Sequence, residues 1–237
     1  MNDNEWTTGA GPGTNWELAI FDCDGVLVDT EALTHRVLID ALAGLGIDLD
    51  LERAFGLFMG NTPRQNIDVI EGLLGGPLPE GFFEQWREQL YGRFRSEPVR
   101  PVAGVEAVLD RLTMPVCVVS NGPFRKMQTS LGVSGLLDRF RERLYSSESG
   151  LPGKPAPDLF LAAAHDFGAA PARTFVVEDS PQGVAGAVAA GMTVFGYAGA
   201  DHVEAAELEA AGAIVFSDMS ELPGLIERGV STVAISR

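Results

Sequence analysis

The sequence predicts an α/β protein with a doubly wound, mostly parallel sheet and an all-helical segment inserted into it. Short apolar runs alternate with helical patterns along most of the chain, which is typical of a parallel sheet covered by helices. Residues 31–98 break this alternation, because they carry helical patterns only. The length of 237 residues and the apolar fraction of 46% are sufficient for one large core with a smaller insert.

Each strand candidate is a short run of aliphatic and β-branched residues, as a strand buried on both faces requires. Five runs of this kind lie at residues 18–21, 116–119, 174–177, 193–195 and 213–216. The helical patterns of the same part of the chain lie at residues 104–112, 126–131, 158–167, 182–190 and 203–211. Right-handed crossovers through such helices predict the doubly wound parallel sheet.

The helical interval contains three stretches with apolar residues at helical spacing, at residues 32–46, 62–76 and 81–94. Thr62 is placed to be the N-cap of the second stretch, with Pro63 at its first helical position. No convincing strand pattern interrupts the three stretches. An all-helical unit inserted after the first strand is therefore predicted.

These patterns divide the chain into three parts. We predict a helical cap domain over residues 31–98 and an α/β core domain over residues 16–30 and 99–237. Residues 1–15 lack the basic and apolar segments of a signal peptide, and we expect them to form a flexible leader.

The composition argues against several classes of partner. A formal net charge of −16 disfavours nucleic-acid binding, since a phosphate backbone requires clusters of lysine and arginine. No apolar run approaches the roughly 20 residues of a membrane span. The two cysteines, Cys23 and Cys117, lie in or beside apolar runs and fit a reducing compartment. We therefore expect a cytoplasmic protein, a monomer or weak homo-oligomer, with no nucleic-acid or membrane partner.

Polar residues gather directly after three of the strand candidates and in one further loop. In an open α/β sheet the ligand binds at the carboxyl ends of the strands, so these residues are expected at one edge. They are Asp22 and Asp24 after the first run, Ser120 and Asn121 after the second, Glu178 and Asp179 after the third, and Lys154 in the loop GLPGKPAP.

Each cluster also has a structural interpretation when it is taken alone. The Asp-x-Asp-Gly pattern is similar to the start of a calcium-binding loop, but its glycine stands at the fourth position rather than the sixth. The stretch SNG is an ordinary turn signal, and Ser180 with Pro181 fits the start of a helix. The order of the clusters at successive strand ends favours a functional interpretation.

The chemistry that suits these clusters is phosphoryl transfer. One carboxylate of the pair Asp22 and Asp24 can attack phosphorus, and the other can protonate the leaving oxygen. Because carboxylates repel a phosphate dianion, a hard cation is required, and Mg²⁺ suits Asp22, Asp179 and a backbone carbonyl. Hydrogen-bond donors for the transferring oxygens are available on Ser120, Asn121 and Lys154.

Four ordered motifs, DCDGVLVDTE, SNG, GKPAPDLF and VVEDS, resemble those of haloacid dehalogenase superfamily phosphatases. The resemblance implies a Mg²⁺-dependent enzyme in which Asp22 is the nucleophile and Asp24 is the general acid and base. It also places Asp22, Asp179 and the backbone carbonyl of Asp24 on the metal, with Glu178 close by. The residues that it assigns to phosphate binding are Ser120, Asn121 and Lys154.

The helical interval resembles the cap of the phosphoglycolate phosphatase and β-phosphoglucomutase branch, which closes over the substrate and excludes water. The stretches DCDG and MPVCVVSNGPFRKMQTSLG resemble the bacterial phosphatases that hydrolyse 6-phosphogluconate and related sugar phosphates. The resemblance therefore implies that the substrate is a small phosphorylated metabolite, a sugar or sugar-acid phosphate.

Two other functions remain open at this point. A sugar phosphomutase of the β-phosphoglucomutase type would carry a histidine at Thr34, by counting from Asp22. His35 is the next residue, about 100° further round a helix, and is expected to be an ordinary helix-surface histidine. A non-catalytic phosphometabolite-binding module would have lost the nucleophile or the lysine, and neither Asp22 nor Lys154 is lost.

The side chains that select the leaving group are expected on the cap and just after the second motif. The candidates are Asn61, Thr62, Arg64, Arg125 and Lys126. An arginine suits a substrate carboxylate or a second anion. The structural alternative is that Thr62 only caps a helix and that Arg64 is a solvated side chain.

Overall fold

The computed structural model describes residues 15–59, 61–140 and 142–228, so that only Asn15 of the predicted leader is included. This described part contains six strands: β1 (Leu18–Phe21), β2 (Val116–Ser120), β3 (Leu144–Ser146), β4 (Thr174–Glu178), β5 (Thr193–Tyr197) and β6 (Ile214–Phe216). They pair in parallel in the order β3–β2–β1–β4–β5–β6. The predicted fold class is confirmed.

Each of the five predicted strands is present within two residues of its expected ends. The sequence pattern does not predict β3, which has three residues and lies at the edge of the sheet. Only its last residue, Ser146, is fully buried, whereas Leu144 and Tyr145 are half-buried. An edge strand is covered less than a central one, so β3 lacks the continuous apolar character of β1.

The helices of the described residues before β2 are α1 (Glu31–Ala43), α2 (Leu51–Phe58), α3 (Pro63–Leu74), α4 (Phe82–Ser96) and α5 (Val105–Arg111). Those after β2 are α6 (Phe124–Val133), α7 (Leu137–Phe140), α8 (Asp158–Asp166), α9 (Pro181–Ala189), α10 (Ala205–Ala211) and α11 (Leu222–Arg228). The short helices α2, α7 and α11 are additions to the predicted set. Within the described residues, no helix combines the length and apolar character needed to cross a membrane.

The sheet is buried on both faces, because successive residues of a strand point to opposite sides. Ala19 and Phe21 of β1 belong to one apolar cluster, and Leu18 and Ile20 belong to the cluster on the other face. All four side chains are fully buried. This explains why β1 is continuously apolar up to its end, where Asp22 begins the polar segment.

The inserted segment has an apolar cluster of its own, built around Leu42, Phe58 and Ile70. The side chains of Leu90 and Phe94 on α4 instead join the cluster on one face of the sheet. The N-terminus of α3 carries the capping box expected from Thr62: its hydroxyl accepts from the Gln65 N–H, and the Gln65 side chain accepts from the Thr62 N–H. The division into cap and core domains stays a prediction.

Candidate active site

The sheet order brings the predicted polar clusters to one edge, because β1 lies between β2 and β4. They form one pocket with residues of α1, α3 and α4, here called the central pocket. The core residues of this pocket with polar side chains are Asp22, Asp24, Ser120, Asn121, Lys126, Lys154, Asp179 and Ser180. Glu178 lies beneath them and is fully buried.

Lys154 joins two of the clusters through its ammonium group. Its Nζ lies 2.5 Å from Asp22 Oδ1 and also forms an ion pair with Glu178 Oε1. Burial by itself would lower the pKa of Lys154, but the two carboxylates raise that pKa above its ordinary value. Burial raises the pKa of Asp22 to about 7, although the charge of Lys154 acts in the opposite direction. Lys154 therefore remains a buried cation that holds one oxygen of Asp22.

Asn121 fixes the loop that carries Lys154. Its Nδ2 donates to the Lys154 carbonyl at 3.0 Å, and the Lys154 N–H donates to its Oδ1 at 2.8 Å. The Ser147 hydroxyl donates to the Asn121 carbonyl at 2.7 Å, which holds the loop after β2 in place. Asn121 therefore positions Lys154 in this structure, and its predicted contact with phosphate stays a prediction.

Asp24 has a cation of its own. Its Oδ2 lies 3.0 Å from Lys126 Nζ, and its Oδ1 accepts a hydrogen bond from the Thr30 hydroxyl. The whole sequence contains only two lysines, Lys126 and Lys154. Each of them is paired with one aspartate of the first motif. The structure thus brings Lys126, predicted only as a specificity residue, into direct contact with the predicted acid and base.

The two acids after β4 have different surroundings. Glu178 Oε2 accepts from the N–H groups of Asp179 and Ser180, both at 3.1 Å, and from the Ser180 hydroxyl at 3.0 Å. Because Lys154 holds the other oxygen, Glu178 orients this loop and the lysine. Asp179 lines the central pocket instead. Of this pair, Asp179 is the carboxylate that is placed to meet a ligand.

Gly25 provides the space for Asp179. A Cβ at Gly25 would lie 1.9 Å from Asp179 Oδ2, and the φ of +80° disfavours any other residue. We expect Gly25→Ala to displace the Asp179 carboxylate and to lower kcat/KM by at least tenfold. The added backbone strain should also lower the free energy of unfolding by about 1–2 kcal/mol. Steady-state kinetics and denaturant unfolding measure the two effects.

Gly46 offers a matched control for this substitution. Its φ is also +80°, but a Cβ there would meet no atom within 4 Å. Gly46→Ala should therefore show a similar loss of stability with ordinary kcat/KM. Equal kinetic losses in the two variants would show that strain alone, and not the position of Asp179, accounts for the effect.

The donor set of the central pocket fits a hard divalent cation. Asp179 is 4% exposed, and burial, followed by the charges of Asp22 and Glu178, raises its pKa well above the ordinary value. A cation between Asp22 and Asp179 would offset this repulsion, and carboxylate oxygens are the ligands that Mg²⁺ prefers. In residues 15–59, 61–140 and 142–228, no three acidic, histidine or cysteine side chains are grouped to enclose a metal. The further ligand that the family resemblance implies, the Asp24 carbonyl, stays a prediction.

The structure separates the predicted specificity residues. Asn61 and Lys126 line the central pocket. Thr62 caps α3, and the Arg64 side chain is 75% exposed and paired with Asp68 at 2.9 Å. Thr62 is thus a helix cap and Arg64 a solvated side chain, as the structural alternative for these two residues states. The first turn of α3 points Arg64 away from the pocket.

Arg125 connects the inserted segment with the core. Its guanidinium forms an ion pair with Glu88 of α4 and lies 4.8 Å from the centre of the Tyr91 ring. Both partners of the ion pair are more than half exposed. Arg125 therefore links α6 to α4 in this structure, and its predicted part in substrate selection stays a prediction.

The expectation that His35 is an ordinary helix-surface residue is wrong. His35 is 3% exposed and lines the central pocket. Its Nδ1 lies 3.2 Å from Glu31 Oε2, and its ring lies 4.4 Å from that of Phe55. Phe55 stacks in turn on His202, at 4.0 Å between ring centres. Phe55 belongs to α2 and His202 to the loop after β5, so the pattern of α1 by itself does not reveal the burial.

Several residues of the central pocket carry no signal in the sequence analysis. Those on the helices of the inserted segment are Glu31, Leu38, Phe58, Asn66, Phe83, Trp86 and Arg87. Glu31 is the last residue of the motif DCDGVLVDTE, which could have indicated it. For the others, the distance along the chain from any motif explains the omission.

Comparison with known proteins agrees with this geometry. Residues 16–191 match the haloacid dehalogenase-like hydrolase family. The chain is 33% identical over 210 residues to the 6-phosphogluconate phosphatase of Escherichia coli (strain K12). The matched region covers 88% of this chain and 94% of that protein.

Two solved structures share both fold and sequence with the chain. A haloacid dehalogenase-like protein of unknown function from Agrobacterium tumefaciens is 37% identical, with a TM-score of 0.76 over 89% of this chain and 97% of that one. A hydrolase of the same family from Deinococcus radiodurans, with bound phosphate and sodium, is 30% identical, with a TM-score of 0.71 over 88% and 94%. Together with the carboxylate and lysine pairs of the central pocket, these relatives establish that the chain belongs to the haloacid dehalogenase-like hydrolase family and is a phosphatase.

Proposed function

We propose that the protein is a Mg²⁺-dependent phosphatase that hydrolyses a sugar or sugar-acid phosphate, such as 6-phosphogluconate, through an aspartyl-phosphate. The observation that carries this proposal is the pairing at the end of β1. Asp22 has one oxygen held by Lys154 at 2.5 Å, and Asp24, two residues on, is paired with Lys126 at 3.0 Å. Two carboxylates with separate cations on one pocket suit two separate roles in phosphoryl transfer.

In the first step, the free oxygen of Asp22 attacks phosphorus. A bond forms between that oxygen and phosphorus, and the bond from phosphorus to the leaving oxygen breaks. Asp24 gives a proton to the leaving oxygen, so that the product departs as an alcohol. Lys154 and the Ser120 hydroxyl donate to the oxygens of the transferring group, where the charge is spread.

In the second step, water attacks the aspartyl-phosphate. Asp24 accepts a proton from the water, a new bond forms between the water oxygen and phosphorus, and the bond to Asp22 breaks. Inorganic phosphate is released and both aspartates return to their starting states. Pro63, Phe83 and Trp86 also line the central pocket, and apolar side chains beside a phosphate leave less room for water.

Bound Mg²⁺ would offset the repulsion between the phosphate dianion and the carboxylates, and would stabilise the charge of the transition state. We expect that removal of divalent metal with a chelator lowers phosphate release to background, because Asp22 and Asp179 then repel the substrate. Addition of excess Mg²⁺ should restore the rate. Full activity of the chelated, metal-free protein, verified by elemental analysis, would contradict the metal role.

The choice of a sugar-acid phosphate is supported by Arg87. This arginine of α4 lines the central pocket, and its partner Glu84, at 2.8 Å, is 69% exposed. An exposed ion pair contributes little free energy, so a substrate carboxylate can replace Glu84. The 6-phosphogluconate phosphatase of Escherichia coli, whose name specifies such a substrate, is the relative described above.

The direct experiment is a measurement of inorganic phosphate released with Mg²⁺ from a panel of esters. The panel contains 6-phosphogluconate, hexose phosphates, phosphoglycolate and β-glucose 1-phosphate. We expect the highest kcat/KM with 6-phosphogluconate. Release from phosphoglycolate alone would contradict the sugar class, and release from no ester would contradict the phosphatase itself.

A sugar phosphomutase remains the second candidate, because His35 lies on the central pocket with Glu31 as its partner. Thr34 also lines this pocket. A mutase would isomerise β-glucose 1-phosphate without net phosphate release, which phosphorus NMR distinguishes from hydrolysis.

A cytoplasmic location is also part of the proposal. Cys23 and Cys117 are both buried and free, as small apolar side chains in a reducing compartment would be. Fractionation of the host cells tests this location directly.

A further inference from the structure

The central pocket contains buried polar atoms that lack partners. Among the described residues, Thr34 Oγ1, Asn66 Oδ1 and Trp86 Nε1 are covered from solvent and make no hydrogen bond. All three residues line the central pocket. They come from three different helices, α1, α3 and α4, which the central pocket brings together with the core carboxylates. A buried polar atom without a partner costs about 1–3 kcal/mol, and such atoms are therefore rare in folded proteins.

From these atoms we propose that Thr34, Asn66 and Trp86 form a hydroxyl-binding subsite for the leaving group of the phosphate ester. The proposal rests on the proposed function, since it assigns part of the same pocket to the substrate. It defines the substrate class as a phosphate ester of a polyhydroxylated chain. The three residues determine specificity and take no part in bond making.

The hydrogen-bonding capacity of the three atoms indicates hydroxyl groups. Trp86 Nε1 can only donate, Asn66 Oδ1 can only accept, and the Thr34 hydroxyl can do both. A phosphate or carboxylate oxygen would serve Trp86 but leave Asn66 without a donor, and an ammonium group would do the reverse. A sugar hydroxyl both donates and accepts, so adjacent hydroxyls of one chain can satisfy all three atoms.

The walls around these atoms suit the carbon skeleton of the same ligand. Leu38, Phe58 and Phe83 line the central pocket beside them, and the ring of Phe83 lies 5.8 Å from that of Trp86, edge to face. Sugar and polyol chains present C–H groups between their hydroxyls, and these groups pack on apolar and aromatic side chains. The unhydroxylated alkyl chain would gain the same contacts but leave the three polar atoms unpaired.

The test uses two substrates of equal carbon number, glucitol 6-phosphate and hexyl phosphate, with isosteric apolar variants. Thr34→Val and Asn66→Leu each remove one polar atom and keep the volume close to that of the original side chain. We expect each to lower the ratio of kcat/KM for glucitol 6-phosphate to that for hexyl phosphate by about 3- to 10-fold, the effect of one lost hydrogen bond. The double variant should lower this ratio by about 10- to 100-fold.

Stability provides a second readout that separates binding from folding. Because each variant replaces an unpaired buried atom by an apolar group, its melting temperature should be no lower than that of the wild type. Gln89→Leu, on the exposed face of α4, is the control and should leave both kcat/KM values unchanged. Equal losses of kcat/KM with both substrates would overturn the proposal. An unchanged ratio of the two kcat/KM values in stably folded variants would also overturn it, because the partner of these atoms would then be only an ordered water.

Binding distinguishes failure of the subsite from failure of the proposed chemistry. Calorimetry with the Asp22→Asn protein measures the Kd of both esters without turnover. The wild type could release no phosphate and still bind glucitol 6-phosphate at least tenfold more tightly than hexyl phosphate. If Asn66→Leu then removed this preference, the subsite would stand without the phosphatase activity. Equal Kd values for both esters would overturn the subsite whatever the activity.

Discussion

Asp22→Asn is expected to abolish phosphate release while the protein stays folded. The amide oxygen can still accept a hydrogen bond from Lys154. The substitution also removes one negative charge near Asp179, whose pKa is raised by burial and by the charges of Asp22 and Glu178. An amide is a poor nucleophile, so the first bond to phosphorus cannot form. Loss of a nucleophile lowers kcat by about 10⁴-fold or more in enzymes that use covalent catalysis.

The control for this variant is Asp29→Asn. Asp29 lies in the same motif, seven residues after Asp22, but its side chain is exposed. Phosphate release by the Asp29 variant should equal that of the wild type, and both variants should melt within a few degrees of it. An Asp22→Asn protein with more than about 1% of the wild-type rate, free of deamidated material by mass spectrometry, would contradict the assigned nucleophile.

Lys154→Met is expected to have the largest effect on stability as well as to stop turnover. The Lys154 side chain is 3% exposed and its ammonium group lies between Asp22 and Glu178, whose buried carboxylates would lose this cation. Removing one member of a buried ion pair typically lowers the free energy of unfolding by about 3–5 kcal/mol. Activity should be lost because the transferring oxygens lose a donor and Asp22 loses its orientation. Denaturant unfolding and phosphate release measure the two losses.

Arg173→Met is the matched control for the loss of a cation. Arg173 pairs with Glu17 at 2.7 Å, but its side chain is 56% exposed. The free energy of unfolding should fall by no more than about 1 kcal/mol in this variant. A second comparison is the double variant Asp22→Asn with Lys154→Met, which should lose less than the sum of the single losses, because the uncompensated charge is smaller. Additive losses would show that Lys154 does not stabilise the fold through the charge of Asp22, which would leave its pair with Glu178 and its packing.

The fold could be predicted from the sequence because the patterns that indicate its strands and helices are local. Each central strand is buried on both faces, so the run 18–21 is apolar at every position and ends sharply at Asp22. The N-terminus of α3 could be predicted for the same reason. The side chains of Thr62 and Gln65 each accept a hydrogen bond from the backbone N–H of the other, within four residues of the chain. The edge strand β3 carries neither signal, and its position depends on pairing with β2.

The core of the site could be predicted for a topological reason. In a parallel sheet all strands end at one edge, so Asp22, Ser120 and Asp179 had to meet once β1, β2 and β4 were adjacent. The cap side could not be predicted in this way. Arg64 and Arg87 are both helical arginines of the insert, and only the packing of α3 and α4 decides that Arg87 faces the pocket.

The sequence by itself therefore determined the α/β class, five of the six strands of the described residues, the clusters that lie at the strand ends and the family to which the chain belongs. Only the tertiary structure decided that each lysine pairs with one aspartate, that His35 is buried against Phe55, and that three residues lining the pocket carry unpaired polar atoms. The physical reason is that strands, caps and turns are set by neighbours in the chain. The partner of a buried side chain, or the lack of one, is set by segments far away along the sequence.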